Sequence, residues 1–479
     1  MEQFGNPPLR RPLLACCGAV GLLIAVPQVQ AADISSPQEA ATRPAIKTNR
    51  WQEDWSALAE PSLRTHPLDT IKYLPLRRND ARSYLSLGLN WRARLETNDA
   101  PAFGTSGSAE DTYLLQRLQV HADLHFNSRW RLFTQIEDVR SVGKQAPSMT
   151  DRNPLDLRLA FVSYTAALNG GVLMARVGRQ DFAFDQQRFL SLRDGPNVRQ
   201  SFDAVWLHYE RGSWEVSGFL SQPVQYASRE SFDDVSNQHL RFHLLRIERH
   251  GPGDRSLSAY YARSDADDAS YGDETGQERR DSLAMRVAGS AAQWDWDAEG
   301  MIQGGDVGNA DVHAWAVGTR VGYTFADTTW RPRLGLQMDA ASGDSRRDDG
   351  RLETFNPLFS NGTYNFSLAG YTGYVNLIHL KPSLTVKPSH DLKVSAALGL
   401  LWRQTTADAV YVQPDVAIAG TAGQGRRRTG TYAQLRTDWV LRPNLGAAIE
   451  LVHYGVEQAL RSAGAHDSNY AGAELKFAW

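Results

Sequence analysis

From Arg82 to the last residue the chain repeats one pattern: short segments of alternating apolar and polar side chains, joined by connections that are by turns short and long. In "YLSLGLNWRARLE", Leu85, Leu87, Leu89, Trp91, Ala93 and Leu95 alternate with Ser86, Gly88, Asn90, Arg92, Arg94 and Glu96. In "LLQRLQVHADLHF", Leu118, Val120, Ala122, Leu124 and Phe126 alternate with Arg117, Gln119, His121, Asp123 and His125. "NYAGAELKFAW" places Ala471, Ala473, Leu475, Phe477 and Trp479 on one face, and Tyr470, Gly472, Glu474 and Lys476 on the other. A period of two is the period of a strand, whose successive side chains point to opposite faces. About 18 such segments begin near residues 82, 112, 129, 155, 171, 199, 213, 238, 255, 279, 293, 311, 329, 371, 391, 429, 445 and 468. The turns "FNSR", "ALNGG", "ERGS", "HGPGD", "ADTT", "KPSHD" and "RPN" are short, whereas 182–198, 222–237, 264–278, 343–366 and 405–428 are long and polar. A transmembrane barrel with both ends on one side of the bilayer produces this alternation, and a soluble sandwich or propeller has no reason to. The expected fold is therefore all-β: an antiparallel transmembrane β-barrel of about 18 strands with a short N-terminal periplasmic segment.

Composition agrees. Mean hydropathy is −0.43, and no internal apolar run is long enough for a spanning helix, which excludes a helical membrane bundle. The one continuous apolar stretch follows Arg10 and Arg11 and ends in small residues, as a secretory signal does, with cleavage expected after Ala31. Both cysteines, Cys16 and Cys17, fall inside it, so the mature chain offers no disulfide, thiolate ligand or cysteine nucleophile. The formal charge of −3 implies no nucleic-acid partner. Residues 32–80 lack sustained alternation and read as a periplasmic lead-in or plug, with a short helix near Trp51–Ala59. The expected domains are 1–31 signal peptide, 32–80 lead-in, and 81–479 barrel.

Several stretches carry a family resemblance: "IKYLPL" (71–76), "RVGRQ" (176–180), "FNPLF" (355–359), "LAGYTGYVNLIHLKPSLT" (368–385), "LGLLWRQTTADAVY" (398–411) and "ELKFAW". Together they resemble the alginate-export family of outer-membrane porins, over residues 50–479. The resemblance implies an 18-stranded barrel with an arginine-rich constriction that passes anionic polyuronate. The chain looks more like the broader branch of that family than like its alginate-specialised member.

If Leu475, Phe477 and Trp479 face lipid, the alternate positions face the lumen. That parity places Arg92, Arg94, Arg117, Arg158, Arg176, Arg241, Arg286, Arg320, Arg331, Arg333, Arg403 and Arg436 inside. Arg179 belongs to "RVGRQ" but has the opposite parity, and joins the set only if a bulge at Gly178 shifts the register. A guanidinium stays charged and pairs bidentately with carboxylates, so a ladder of them can pass a uronate chain from site to site. Asp123, Asp295, Asp297, Glu299, Asp339, Asp438 and Glu474 share those faces and are expected to hold the arginine rotamers. The plainer reading is that these arginines and acids are the structural network of any polar barrel interior.

Other patterns carry less. "GDS" (343–345) lacks a partner histidine at a recognisable spacing, so no catalytic residue is expected. "DADDASYGDE" (265–274) misses the calcium-loop pattern and reads as a solvated loop, and "GRRR" (425–428) as a basic patch for anionic polymer or lipopolysaccharide. Trp91, Trp130, Trp206, Trp315, Trp402, Trp439 and Trp479 read as an interfacial belt. No cofactor or metal is expected. The expected partners are outer-membrane lipid and lipopolysaccharide, the barrel-assembly machinery through Phe477 and Trp479, and an anionic oligo- or polysaccharide; a monomer is expected. The functional reading is a passive outer-membrane channel for alginate-like polymers or uronate oligomers. A general small-solute porin is the alternative, and an outer-membrane hydrolase a third.

Overall fold

The computed structural model describes residues 42–105, 110–272 and 274–479. The expected signal segment, with Cys16 and Cys17, lies outside the described residues, as does the start of the lead-in. Eighteen long strands follow one another: β1 Tyr84–Asn98, β2 Asp111–His125, β3 Trp130–Val142, β4 Asn153–Leu168, β5 Gly171–Gln180, β6 Phe202–Arg211, β7 Trp214–Gln225, β8 Leu240–His250 and β9 Ser256–Tyr271, then β10 Glu274–Ala291, β11 Trp294–Val307, β12 Ala310–Thr324, β13 Arg333–Ala341, β14 Leu377–Val386, β15 Leu392–Trp402, β16 Arg428–Arg442, β17 Leu445–Val456 and β18 Ser468–Ala478. Each pairs antiparallel with the next, and β18 closes on β1, with Trp91 opposite Phe477 and Arg94 opposite Glu474. Closure leaves no strand edge, so the backbone polar groups of the wall are satisfied within the sheet.

The outward faces carry the apolar half of each alternation. Leu245, Tyr261, Leu283, Ile302 and Trp315 are register partners in one row across β8 to β12, and all are exposed. Near the short turns lie the exposed rings of Trp130, Trp214, Trp294, Trp330 and Trp439. A surface this apolar, ringed by tryptophans, is matched to a bilayer and not to water. Two rings expected in the belt are elsewhere. Trp206 faces inward, its ring 4.8 Å from the Arg176 guanidinium. Trp479 lies beyond the last strand residue, and Lys72 Nζ sits 5.0 Å from its ring.

On the short-turn side the connections run from two residues (169–170) to eight (325–332). On the other side 181–201, 226–239, 342–376 and 403–427 are long, but β9 and β10 stay paired up to Tyr271 opposite Glu274, and β11–β12 turns tightly at 308–309. The expected loop 264–278 is thus a correction: its strands stay paired from Asp265 opposite Arg279 to Tyr271 opposite Glu274, with one bulge after Ala266. Tyr271 stabilises the extension by donating to Glu278 Oε1 at 3.0 Å, beneath the Arg280 guanidinium. The segment expected to be a strand from 371 begins only at Leu377, because Tyr371, Tyr374 and Val375 are buried as part of the preceding connection.

Residues 42–83 pack on inward-facing side chains. The helix expected near Trp51–Ala59 is instead two 3-10 turns, Arg50–Gln52 and Ser56–Ala59. Trp55 and Leu58 bury against Tyr73 and Tyr84. Arg50 donates to Leu89 O and Asn90 Oδ1 on β1, and Trp51 Nε1 donates to Asp181 Oδ1 at 2.7 Å.

Candidate functional site

The lumen is built from the polar half of each strand alternation, and from three connections that bring apolar and charged residues into contact with it. The first is 181–201. Arg92 donates to Asp194 O at 2.8 Å and to Asn197 Oδ1 at 3.1 Å; Arg117 holds the Asp194 carboxylate at 2.5 Å, and Arg199 lies 3.3 Å from it. Burial disfavours the Asp194 charge, but Arg117 and Arg199 outweigh it and hold that carboxyl well below the usual range. Arg188, from the same connection, reaches Asp297 Oδ1 at 3.1 Å and Glu299 Oε2 at 2.8 Å. The second connection, 342–376, brings Phe355, Phe359, Phe366 and Tyr374 into the largest buried cluster. The third, 403–427, is organised around Arg403, which donates to the carbonyls of Thr406, Asp408, Thr421, Gln424 and Arg426.

Most inward arginines meet carboxylates. Arg94 contacts Glu96 at 2.5 Å and Glu450 and Tyr470 at 2.6 Å. Arg158 pairs with Asp181 at 2.8 Å, Arg286 with Asp297 at 2.6 Å, and Arg333 with Asp295 at 2.5 Å. Arg436 pairs with Asp438 at 2.7 Å and with Glu450. The remaining expected acids are also engaged: Asp123 by Arg131 and His125, Asp339 by His379, and Glu474 by Lys476.

Three inward cations differ. Arg176 lies among the rings of Trp51, Phe161 and Trp206, at 4.0, 4.4 and 4.8 Å. Arg320 donates to Gln186 Oε1 and Asn365 Oδ1, both neutral. Lys381 donates to Phe366 O at 2.7 Å. None has a carboxylate at ion-pair distance among the described residues. Arg320 and Lys381 lie on β12 and β14, and the half-exposed Lys393 and Lys476 share their inward parity on β15 and β18, where Lys393 pairs with Asp438 at 3.1 Å and Lys476 with Glu474 at 3.0 Å.

Four expected lumen residues lie elsewhere. Arg241 is exposed on the outward parity of β8, opposite Asp265 near the outer rim, where polar side chains stand above the apolar belt. Arg331 is exposed in the 325–332 turn, because β13 begins at Arg333 and not near 329. Arg179 keeps the outward parity: β5 stays in register with β4 through Gly178, and Arg179 pairs bidentately with Asp203. Arg403 is consumed by its carbonyl cage, one residue beyond β15. Arg188, Arg199, Arg50, Lys381, Lys393 and Lys476 join the interior without belonging to the expected set. For Arg188 a signal existed: Phe189, Leu190 and Leu192 are too apolar for a solvated loop, and all three are buried. Lys381, Lys393 and Lys476 lie on strands, so the alternation that places the arginines inward places them inward too.

Lys72 is buried with no hydrogen-bond partner among the described residues, between the rings of Trp55 and Trp479. Burial pushes its pKa down to about 7. Toward the long-loop side opens a cavity of 820 Å³, lined among others by Arg94, Tyr113, Arg193, Asn197 and Tyr226. Among the described residues two groups of three metal-ligand side chains converge within 4.8 Å: Glu215, Glu248 and His250, and Asp156, Asp233 and Asp234.

A family model described as alginate export matches residues 83–474, nearly the whole barrel. No curated protein sequence matches the chain significantly. Among solved structures, OccAB1 of Acinetobacter baumannii is similar at a TM-score of 0.57 and 12% identity, covering 86% of this chain and 99% of its own. A BenF-like porin from Pseudomonas fluorescens Pf-5 gives 0.55 at 11% identity, covering 82% of this chain and 99% of its own. OccK2 of Pseudomonas aeruginosa, solved in complex with glucuronate, gives 0.53 at 13% identity, covering 82% of this chain and 96% of its own. At such identities the likeness is one of fold: a porin-like barrel of the bacterial outer membrane.

Proposed function

The chain belongs to the alginate-export family, and from that premise we propose that it is a passive channel for uronate oligomers or a related anionic polysaccharide. The observation that carries the reading is the lining of β12–β18, where Arg320 and Lys381 have only neutral partners and Lys393 and Lys476 are half exposed. A substrate carboxylate entering there meets Lys393 and Lys476, half exposed although each also pairs with an acid, while Arg320 and the buried Lys381 have no carboxylate at ion-pair distance among the described residues. Arginine and lysine beside a partly wet path give many modest contacts in place of one tight site, which permits release as well as entry. That OccK2 was solved with glucuronate supports a uronate ligand for a barrel of this shape.

We further propose export through the 1–31 signal segment, recognition of Phe477 and Trp479 by the barrel-assembly machinery before folding, contact with lipopolysaccharide at the outer rim, and a monomeric channel. Within the lumen, residues 42–83 act as a plug on the β1–β5 wall. The crowding of the lumen by this segment and by 181–201 favours a second reading, a small-solute porin too narrow for a polymer. Single-channel recording separates the two. The polyuronate reading expects anion selectivity and current block by alginate oligomers but not by a neutral sugar of equal size. Equal block by both sugars supports the small-solute porin.

A further inference from the structure

Where the 226–239 connection meets the outer end of β4, four oxygen-bearing side chains converge. Asp156, Asp233 and Asp234 each bring a carboxylate oxygen to within 4.8 Å of the others. Asn153 joins them, its Nδ2 donating to Asp234 Oδ2 at 2.7 Å. Asn153 is fully buried, yet its Oδ1 meets no donor among the described residues. Asp233 Oδ1 is likewise a buried acceptor without a donor. Buried acceptors of this kind cost folding free energy unless a ligand satisfies them.

Among the described residues no Lys or Arg side chain lies at ion-pair distance from these three carboxylates. Arg179 is the cation that touches the group, and Arg179 donates to the Asp234 backbone carbonyl at 3.3 Å while its paired contacts go to Asp203. Arg229 and Glu230 reach Asp233 Oδ2 through backbone N–H groups, and Asp234 N–H donates to Asp156 Oδ2 at 3.2 Å. The backbone is shaped for the convergence. The register of β4 with β3 shifts twice here, after Gln135 and after Glu137, and bulges re-aim the side chains beside them.

Three carboxylates and an amide carbonyl, without sulfur or imidazole, are the donor set of a hard divalent cation. Calcium accepts about six to eight oxygens in irregular geometry, whereas magnesium demands a near-ideal octahedron. We propose that Asn153, Asp156, Asp233 and Asp234 form a calcium site that fastens the 226–239 connection to the end of β4. The fastening extends to the lumen. Tyr226, at the start of the same connection, accepts from Ser201 N–H and donates to Arg199 O, both at 2.7 Å, so the site steadies the inward-folded 181–201 segment.

Calorimetric titration of the chelator-treated, detergent-purified barrel with calcium chloride tests this. One site in the range of about 10⁻⁴–10⁻³ M is expected, as for extracellular calcium modules, with weaker binding of magnesium. Asp233→Asn keeps the acceptor that caps the loop N–H groups and so keeps the fold, but is expected to weaken calcium on the order of tenfold or more. Asp234→Asn gives the same loss, and calcium slows proteolysis within 226–239 only in the unmutated protein. Glu248→Gln, in the imidazole-containing group on β7 and β8, leaves calcium binding unchanged. Absence of binding by the unmutated barrel overturns the proposal. So does binding that survives both aspartate substitutions, or binding that is lost in Glu248→Gln.

Discussion

The lumen carries its cations in two ways, and the wall from β16 through β18 to β1 can be set against the wall from β12 to β14. On the first, Arg94 and Arg436 share Glu450, and Arg94 also holds Glu96 and Tyr470. On the second, Arg320 and Lys381 bond only amide and carbonyl oxygens. Strand parity assigns the same role to both walls. What separates them is which acids stand opposite, and whether an inward-folded connection contributes charge or only backbone. The first wall is held together by its charges, whereas Arg320 and Lys381 on the second have no carboxylate at ion-pair distance among the described residues.

The sharpest way to break this distinction is to remove one cation from each wall. Arg94→Ala strips the partner from buried carboxylates and is expected to cost about 3–5 kcal/mol of stability, read as a lower urea midpoint for barrel unfolding. If it costs no more than a surface substitution, the first wall is not held by charge. Arg320→Gln combined with Lys381→Gln orphans no acid. Its stability change should stay within about 0.5 kcal/mol, while chloride-over-potassium preference falls by about 1 kcal/mol per cation removed, measured as a shift in reversal potential.

Lys72 sharpens the comparison from the side of residues 42–83. Unfolded, this amine keeps its proton up to its ordinary 10.5, but buried it does so only to about 7. Between those values the unfolded chain binds more protons, so stability rises with pH across the window, beginning near pH 7. From pH 6 to pH 8 the gain is about 1 kcal/mol, and Lys72→Met should flatten that slope in pH-dependent unfolding. The smallest effect is expected at Trp51→Leu, which removes one of three rings around Arg176, on the order of 0.5–1 kcal/mol. Its readout is a modest rise in single-channel conductance as the segment loosens; unchanged conductance would separate residues 42–83 from the conducting path.

The barrel was legible in the sequence because a lipid-facing strand has no freedom about its alternation. All 18 expected strand starts fall within six residues of the observed ones. The site was legible only in part, because parity is a property of strands and ends where they end. Arg403 lies one residue beyond β15 and Arg331 two before β13, so the alternation no longer governs them. Arg241 sits on β8, but it was given the wrong face, since a polar residue above the apolar belt can point outward. The acidic run at 265–274 reads as a loop because loops are polar, yet a hairpin standing above the bilayer is wetted on its outer face and can be equally polar. Partners could not be read at all where they come from distant connections, as with Asp194 between Arg117 and Arg199.

The seam between β1 and β18 has a consequence for how the molecule comes into being. Arg94 bonds Glu450 and Tyr470 across separations of 356 and 376 residues. Contacts of such range form slowly, since the loop that closes must be gathered before any of its energy is returned. Neighbouring hairpins can zip as soon as their two strands meet, but the first strand must wait for the last, with its own hydrogen-bonding edge unpaired meanwhile. The time spent waiting is the interval in which such an edge is open to other chains. A fault in β18 would therefore show itself as aggregation during biogenesis, before it could be seen as altered conductance.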